Sequence, residues 1–382
     1  MKIAFLTPEF PHPKLKFSGG IGTSIFNLSK GLLQSGNEVV IVLYGHDKDE
    51  IFTENGITFY LIKNIKIKGF SKLLTQKKIE KLLNTLVDED KIDVVEAVDW
   101  EGITSKIKPK CPLIVRLHGS DTYFSHLDNR RVKFLNRFNE RRAIKNADAL
   151  ISVSQYTADL TNTLFGLQRH FTIIPNGIDI NKFQVSNTNA SNQELNILYF
   201  GTLIRKKGSL ELPNIFNEVF KQNKRAKLIL VGKDSSDLKS GNPSVWEMIK
   251  PLFDLDAIRN VEYVGSVSYD SIKDYINLAT VCVFPTFAEA LPVSWIEAMA
   301  MSKSIVASNI GWAPEVIDDG LNGFLVHPGN HKEYAAKIVK LLENIDLRNQ
   351  FGLAAREKVE QQFSIEVVAT QSLAFYKNCI QK

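Results

Sequence analysis

Two glutamates, Glu289 and Glu297, have the spacing and the setting of a ligand-binding pair. In the stretch Phe284–Met301 an apolar strand ends at Pro285, Glu289 follows in a short loop, and a helix predicted to begin near Pro292 carries Glu297. Proline is tolerated in a first helical turn because the N–H that it lacks would be unpaired there. The N–H groups and the positive end of this helix favour an anion beyond the strand. The two carboxylates are therefore predicted to hold two parts of one ligand.

Three consecutive cations follow another predicted strand in the second half of the chain. The apolar run Leu195–Phe200 is followed by Arg205, Lys206 and Lys207, in a loop flanked by two glycines. A lysine binds phosphate as a point charge, whereas an arginine can bind it in a bidentate manner. Because ligands of α/β sheets bind beyond the carboxyl ends of strands, this loop is a predicted phosphate site.

The first half of the chain carries a glycine loop and a histidine in comparable places. Gly19 and Gly20 follow a predicted strand at 2–7, and His118 follows another at 113–117. The glycines lack the G-x-G-x-x-G spacing of a dinucleotide site, although they permit close approach of the backbone to a ligand. From the residues alone, a plain turn and a structural histidine fit these positions as well as a binding site does.

Strands alternate with helices in both halves of the chain. The polar stretch Ser186–Glu194 has no apolar period and is predicted to be a linker. We therefore expect an α/β protein with two doubly wound, Rossmann-like parallel sheets, in domains at 1–185 and 195–365, whose carboxyl edges face a central cleft. Locally, a helix is predicted to begin at Thr23, and Ser154 is predicted to cap another.

Composition restricts the class of protein further. The 382 residues are 44% hydrophobic and 23% charged, as in ordinary globular domains, and the net charge of +5 favours an anionic ligand or surface without requiring one. The three cysteines, Cys111, Cys282 and Cys379, have no paired spacing, which indicates buried thiols in a reducing compartment. Neither a signal peptide core nor a membrane span is evident, so a cytoplasmic location is expected.

Two basic helices are predicted in the first half. The segment Lys63–Lys81 carries seven lysines against one acid, either as a solvated helix face or as a patch for anionic lipid or an acidic acceptor. The segment 130–145 is also basic, and its Phe134 and Phe138 have a spacing that predicts a core-facing side. Nucleic-acid binding explains this segment poorly, because the two phenylalanines have core-like spacing and no stacking motif is recognisable.

With its proline and its Glu-Ala-Met helix, the stretch E-A-L-P-x-S-x-x-E-A-M-A around the two glutamates resembles the motif of glycosyltransferase family 4. The resemblance implies the GT-B fold, with a C-terminal helix at 366–382 that packs back on the first domain. It also implies a retaining hexosyl transfer from a nucleoside-diphosphate sugar, such as a UDP- or GDP-sugar, to a glycan or lipid-linked acceptor. Such a reaction belongs to polysaccharide or glycoconjugate biosynthesis and needs no cofactor and no metal.

The resemblance also assigns roles to individual residues. It implies catalytic roles for His118, Lys207 and Glu289, and contacts with the transferred sugar for His118, Glu289 and Ala290. Contacts with the nucleotide and its diphosphate are implied for Gly19, Gly20, Arg205, Lys206, Lys207, Leu291 and Glu297. The chain departs from the family pattern in having Thr202 where an arginine is usual, so Arg205 or Lys206 would replace that arginine. Ala290 stands where glycine is common.

Other functions remain open at the level of sequence. A sugar phosphorylase or a nucleotide-sugar epimerase on the same fold is the main alternative, although an epimerase normally lacks the arrangement of Glu289 and Glu297. A dinucleotide oxidoreductase is disfavoured because neither first loop has spaced glycines. A non-catalytic sugar-nucleotide-binding protein is disfavoured by the joint presence of His118, Lys207 and the two glutamates.

Overall fold

The chain forms two compact units. The computed structural model describes residues 1–15, 18–184 and 195–381, so the predicted linker Ser186–Glu194 lies outside the described residues. One unit comprises Met1–Ile178 together with Gln362–Lys382, and the other comprises Asp179–Gln361. The first unit is therefore built from both ends of the sequence.

Eight strands form the sheet in the described part of the first unit. They are β1 (Lys2–Thr7), β2 (Glu38–His46), β3 (Glu50–Glu54), β4 (Ile57–Lys63), β5 (Val94–Val98), β6 (Leu113–Leu117), β7 (Ala149–Ser152) and β8 (Thr172–Ile173). Their order is β3-β4-β2-β1-β5-β6-β7-β8, and every neighbouring pair is parallel except β3 with β4. The parallel strands were predicted. The edge strand β3 was not, because its five residues alternate between partly and largely exposed side chains and bury no continuous apolar run.

Five described α-helices lie in the N-terminal segment of the first unit, Met1–Ile178. They are α1 (Gly20–Gln34), α2 (Ser71–Asp88), α3 (Asp121–Leu127), α4 (Phe134–Asn146) and α5 (Gln155–Phe165). The prediction that α1 begins at Thr23 was wrong by three residues. Gly19 is extended at the N-cap, and the Gly22 amide donates to Oε1 of Glu9 at 2.8 Å, so a distant carboxylate satisfies the first turn. The predicted cap of α5 is confirmed, since the Ser154 side chain accepts from the Thr157 amide.

Helix α4 is oriented differently from the prediction. Phe134 and Phe138 were predicted to face the core, but their side chains are 79% and 49% exposed. The buried positions are Glu140, Ala143 and Ile144, on another face of the helix. Glu140 is buried because its carboxylate accepts from the amides of Asp121 and Thr122 at the start of α3.

The second unit has a parallel sheet of six described strands. They are β9 (Leu195–Phe200), β10 (Ala226–Val231), β11 (Val261–Gly265), β12 (Val281–Phe284), β13 (Ile305–Ser308) and β14 (Phe324–Val326), in the order β11-β10-β9-β12-β13-β14. The helices are α6 (Leu212–Gln222), α7 (Val245–Ile249), α8 (Ile272–Leu278), α9 (Val293–Ala300), α10 (Ala313–Val316), α11 (His331–Glu343) and α12 (Ile345–Lys358). This is the doubly wound order. Successive strands are added on one side of β9 as far as β11 and on its other side from β12 onward, so the switch point of the sheet lies between β9 and β12. The predicted fold class of two parallel-sheet α/β domains is confirmed.

The last helix, α13 (Ile365–Ile380), packs in the first unit against α1. The two helices approach so closely at Gly31 that a Cβ atom there would lie 2.6 Å from the Ile365 carbonyl oxygen. A buried polar network also links α13 to the sheet. Arg116 forms an ion pair with Glu96 at 2.7 Å, and the Tyr376 hydroxyl donates to the same carboxylate at 2.6 Å.

Candidate active site

Lys207 lies in a 3-10 turn, Arg205–Lys207, that follows the carboxyl end of β9. Gly208 ends this turn with a left-handed φ of 73°, and a Cβ atom there would be 1.7 Å from the Pro285 carbonyl oxygen. Only glycine therefore allows the turn to reach the loop that follows β12. Because β9 and β12 are the strands at which the sheet order reverses, the two loops meet at the ligand-binding edge of this unit.

The same turn fixes the loop that carries Glu289. The amides of Phe287 and Ala288 both donate to the Lys206 carbonyl oxygen, at 2.8 and 3.1 Å. Nζ of Lys207 then lies 3.1 Å from Oε1 of Glu289, with side chains that are 27% and 17% exposed. Burial opposes the charge of Lys207, but the Glu289 carboxylate and further neighbours outweigh it, and the pKa of Lys207 is raised. The lysine is therefore held as a cation beside the carboxylate.

Glu297, on α9, is only 5% exposed, and its carboxylate interacts electrostatically with Lys207. Burial raises its pKa to about 7, while the Tyr269 hydroxyl and the cations of Lys207 and Lys182 act in the opposite direction. Nζ of Lys182 lies 3.8 Å from the centroid of the Tyr269 ring and 2.6 Å from a carboxylate oxygen of Asp270. Neither Lys182 nor Tyr269 was identified from the sequence, because each belongs to a separate segment with no motif of its own.

Arg205 has a partner that the sequence did not indicate. Its guanidinium binds the Asp237 carboxylate through two hydrogen bonds of 2.9 and 2.7 Å. The Arg205 hydrogen bond holds the pKa of Asp237 well below its ordinary range, and Ser240 donates to the same carboxylate. Arg205 thus fastens the loop after β10, and its side chain is engaged by a carboxylate. Thr202, at the usual arginine position, offers its carbonyl oxygen to the Tyr199 hydroxyl.

The remaining predicted residues of this unit, Ala290 and Leu291, are buried in the loop between Glu289 and α9. Pro292 forms the extended N-cap, and α9 begins one residue later. The second unit therefore brings together Lys207, Glu289 and Glu297. Lys206, Arg205, Ala290 and Leu291 lie on the same two loops.

His118 belongs to the first unit, immediately after β6. It is 7% exposed, and its amide donates to Oδ1 of Asp99 at 2.9 Å. Burial, helped by the charge of Arg116, lowers the pKa of His118 to about 3, so the imidazole is neutral. Its Nε2 atom is buried and has no hydrogen-bond partner within residues 1–15, 18–184 and 195–381. Such an atom is available to a ligand hydroxyl.

Gly19 and Gly20 lie at the N-terminus of α1, also in the first unit. Among the described residues, the nearest side chain to a Cβ placed on Gly19 is Glu9, at 3.4 Å, and a Cβ on Gly20 would have no described atom within 4 Å. The backbone at Gly20 is therefore open to a ligand, whereas the neighbouring Gly22 amide is already bound to the Glu9 carboxylate. Their contact with a diphosphate stays a prediction.

Comparisons with known proteins agree with this fold. Residues 181–358 match the family described as Glycosyl transferases group 1, and residues 18–182 match Glycosyltransferase Family 4. An uncharacterised glycosyltransferase of Methanocaldococcus jannaschii is 24% identical over 99% of this chain and 98% of its own length. The alpha-monoglucosyldiacylglycerol synthase of Acholeplasma laidlawii is 23% identical over 98% of this chain and 97% of its own length.

A solved structure shares the fold over the whole chain. Anabaena Alr3699/HepE in complex with UDP-glucose matches with a TM-score of 0.75 at 20% identity, over 99% of this chain and 100% of its own. Among the described helices of the present chain, none combines the length and the apolar character that crossing a membrane requires. The two family matches overlap at residues 181–182 and together span residues 18–358, so the chain is a glycosyltransferase with a family 4 first half, a group 1 second half and the GT-B fold.

Proposed function

We propose that the protein is a retaining glycosyltransferase that moves a hexose from a nucleoside-diphosphate sugar to a glycan or lipid-linked acceptor. The observation that carries this proposal is the Lys207–Glu289 pair beside the buried Glu297, at the switch point of the second sheet. A UDP-sugar is the first donor to consider, because HepE was solved with UDP-glucose. The Acholeplasma relative is named for a glucosylated diacylglycerol, which supports a lipid-linked acceptor.

In the proposed reaction Lys207 stabilises the negative charge that grows on the departing diphosphate. A cation held in place before the reaction needs no reorganisation in the transition state, which makes this kind of contribution large. Retention of configuration then follows from front-face attack, in which the leaving phosphate oxygen takes the proton of the acceptor hydroxyl. The neutral imidazole of His118 contributes a hydrogen bond to a hydroxyl of the transferred sugar.

Glu297 and Glu289 have separate proposed roles. Glu297 accepts from the two ribose hydroxyls, and Glu289 accepts from hydroxyls of the sugar. Among the neighbouring cations, Lys207 and Lys206 are proposed to bind the phosphates of the donor. Arg205 is proposed instead to stabilise the loop that carries Asp237, because its guanidinium already forms a bidentate ion pair with that carboxylate.

The test is a thermal-shift screen against nucleoside-diphosphate sugars in a buffer that contains EDTA. A ligand at 100 times its dissociation constant stabilises the native state by about 2.7 kcal/mol, which raises the melting temperature measurably. We expect one donor to shift the transition and the Glu297→Ala variant to lose that shift, while the exposed control Lys250→Ala keeps it. Mass spectrometry must then find the sugar joined to an acceptor. A shift with a nicotinamide dinucleotide alone, or a donor that is epimerised without transfer, would refute the proposal.

Donor binding is expected to weaken as the pH falls below 7. The carboxylate form of Glu297 is the one that accepts from ribose hydroxyls, and burial raises its pKa to about 7 in the free protein. Protonation therefore competes with binding, and the dissociation constant should rise about tenfold between pH 8 and pH 6. Calorimetry with UDP-glucose is the suitable measurement, because this diester has no phosphate group that titrates near pH 6.

The matched control for this pH dependence is Glu297→Gln. Its amide does not titrate, so its weaker binding should be the same at both pH values. A wild-type affinity that is constant between pH 6 and pH 8 would contradict the role of Glu297.

We also propose that the protein contacts the anionic surface on the cytoplasmic side of a membrane. The segment Lys63–Lys81 is only partly free for this contact, since Lys78 binds Asp49 at 2.6 Å and Lys72 donates to the Glu101 carbonyl oxygen. Helix α4 offers a stronger surface. Phe134, Leu135 and Phe138 are 79%, 68% and 49% exposed. Exposed basic residues accompany them in the sequence: Arg130, Arg131, Lys133, Arg137 and Arg141. Of these, Arg130 pairs with Asp121, and Arg137 and Arg141 donate to the carbonyl oxygens of Leu164 and Phe165.

A vesicle sedimentation assay tests this surface. Each basic residue near an anionic bilayer contributes about 1 kcal/mol, and buried aromatic rings add to that attraction. We expect binding to phosphatidylglycerol vesicles but not to phosphatidylcholine vesicles, and a large loss in Phe134→Ser/Phe138→Ser. The matched control Leu238→Ser/Leu255→Ser, which replaces two exposed apolar side chains of the other unit in the same way, should bind almost normally. Equal binding to both kinds of vesicle would contradict the proposal.

A further inference from the structure

The segment Asp179–Phe183, at the start of the second unit, places an ammonium group over an aromatic ring. Nζ of Lys182 lies 3.8 Å from the centroid of the Tyr269 ring and 2.6 Å from Oδ1 of Asp270. Tyr269 and Asp270 lie between β11 and α8. The ring of the buried Phe183 packs edge-on against Tyr269, with a centroid distance of 6.0 Å. The phenol is therefore held between a cation and an apolar side chain.

The backbone of this segment is fixed to the second unit. The Lys182 amide donates to the Asp179 carbonyl oxygen at 3.1 Å, which closes a turn. Arg356 of α12 donates to the Phe183 carbonyl oxygen at 2.8 Å and to the Ala300 carbonyl oxygen at 2.5 Å. Ala300 is the last residue of α9, so a single guanidinium joins the segment to the end of that helix. The position of the Lys182 ammonium is therefore set by main-chain contacts as well as by its own partners.

The phenol under Lys182 also acts on Glu297 of α9. The Tyr269 hydroxyl is a hydrogen-bond donor to the Glu297 carboxylate, which is only 5% exposed. Burial raises the pKa of Glu297 to about 7, and the Tyr269 hydroxyl, Lys207 and Lys182 oppose this rise. An ammonium is attracted to the face of an aromatic ring, and its charge polarises the phenol, so that the hydroxyl becomes a stronger donor. Lys182 therefore favours the carboxylate form both directly and through Tyr269.

The other charged groups near α9 differ from Lys182 in their partners. Lys207 also stabilises the diphosphate in the proposed reaction, whereas Lys182 has no other role there. Asp270 offsets part of the Lys182 charge, but its carboxylate is 86% exposed and solvent screens it. The strand β13 packs against α9 and carries no charged residue. Further charged side chains on the surrounding loops and on α12 form ion pairs: Lys207 with Glu289, Arg356 with Glu360, and Lys358 with Asp318.

We propose that Lys182 and Tyr269 are positioning residues for Glu297: the phenol hydroxyl orients the carboxylate, and the ammonium over the ring keeps it negatively charged. This inference rests on the proposed contact between Glu297 and the donor ribose, and it adds the two side chains that prepare that contact. A neutral carboxyl group would present a donor where the ribose hydroxyls need an acceptor. Lys182 and Tyr269 thus extend donor binding to a lower pH than a buried carboxylate would otherwise allow.

Titration of Glu297 in the protein without donor tests the inference directly. Carbon-13 NMR of the full chain, labelled at its glutamate carboxyl groups, reports protonation, and the signal of Glu297 is the one that Glu297→Gln removes. We expect the midpoint of this titration to rise by about one pH unit in Lys182→Met and in Tyr269→Phe, because each variant removes a group that favours the carboxylate. Lys182→Arg retains the charge over the ring and should keep the wild-type midpoint.

Calorimetry with UDP-glucose measures the consequence for donor binding. Since one pH unit changes the protonation equilibrium tenfold, Lys182→Met and Tyr269→Phe should bind about tenfold more weakly than the wild type at pH 6 and almost equally at pH 9. The matched control is Lys273→Met, which removes an exposed lysine that acts on the same Asp270. It should change neither the midpoint nor the affinity. A loss of packing alone would weaken binding equally at both pH values.

The outcomes distinguish this inference from the proposed function. A Glu297 midpoint that neither Lys182→Met nor Tyr269→Phe moves, in proteins whose melting temperatures show that they are folded, overturns the inference. Equal shifts in Lys182→Met and Lys273→Met overturn the specific role of Lys182. If the midpoint moves as expected but no nucleotide sugar binds, the positioning of Glu297 is supported and the proposed glycosyl transfer fails.

Discussion

Replacing Lys207 with methionine is expected to lower kcat for sugar transfer by about 100- to 1,000-fold. Methionine keeps most of the apolar stem of lysine but removes the charge that stabilises the leaving diphosphate. In the wild type the Glu289 carboxylate lies 3.1 Å from the Lys207 ammonium, and the substitution removes this partner. A contribution made mainly in the transition state lowers kcat more than it weakens donor binding.

The measurement is steady-state release of the nucleoside diphosphate, combined with calorimetric donor binding. The exposed Lys250 provides the matched control, since Lys250→Met removes the same charge from the same unit. An unchanged melting temperature of Lys207→Met would show that the variant is folded. A kcat within threefold of the wild type would contradict the assignment of Lys207.

Replacing Arg116 with methionine is expected to destabilise the first unit by about 3–5 kcal/mol. Arg116 and Glu96 are each 3% exposed in their side chains, and Arg116 also donates to the Ile174 carbonyl oxygen and to Ser372 of α13. Removal of the guanidinium leaves a buried carboxylate whose remaining described donor is the Tyr376 hydroxyl. An uncompensated buried charge is among the largest single costs to stability.

Hydrogen exchange of the amides in β5 and β6 is the appropriate measurement, because it reports on the first unit alone. The double variant Glu96→Gln/Arg116→Met should recover part of the loss, since neither residue is then charged. Arg131→Met, at an exposed position, should leave exchange unchanged. If Arg116→Met and the double variant were equally destabilised, the loss would be one of packing and not of charge.

The parallel strands of both sheets were predictable because each is a short apolar run between turn residues. Glu289 and Glu297 were predictable as a pair because the loop and helix that carry them are contiguous in the sequence. Their partner Lys207 lies some eighty residues earlier, and without the family resemblance its proximity depends on the strand order, which local patterns do not specify.

The errors have physical causes as well. Phe134 and Phe138 have helical spacing, but periodicity alone does not tell which face of a helix is covered, and here the buried Glu140 lies on the covered face. The uncertainty about Arg205 could not be resolved from its own segment, because Asp237 is thirty-two residues away.

The return of α13 to the first unit has a consequence for how the protein is made. Residues 362–382 complete a unit that begins at Met1, with Asp179–Gln361 between them. The ribosome therefore exposes the apolar faces of α1 and its sheet long before their covering helix has been synthesised. We expect the second unit to fold first during translation, although it comes later in the sequence, and the nascent first unit to depend on chaperones until Tyr376 has emerged.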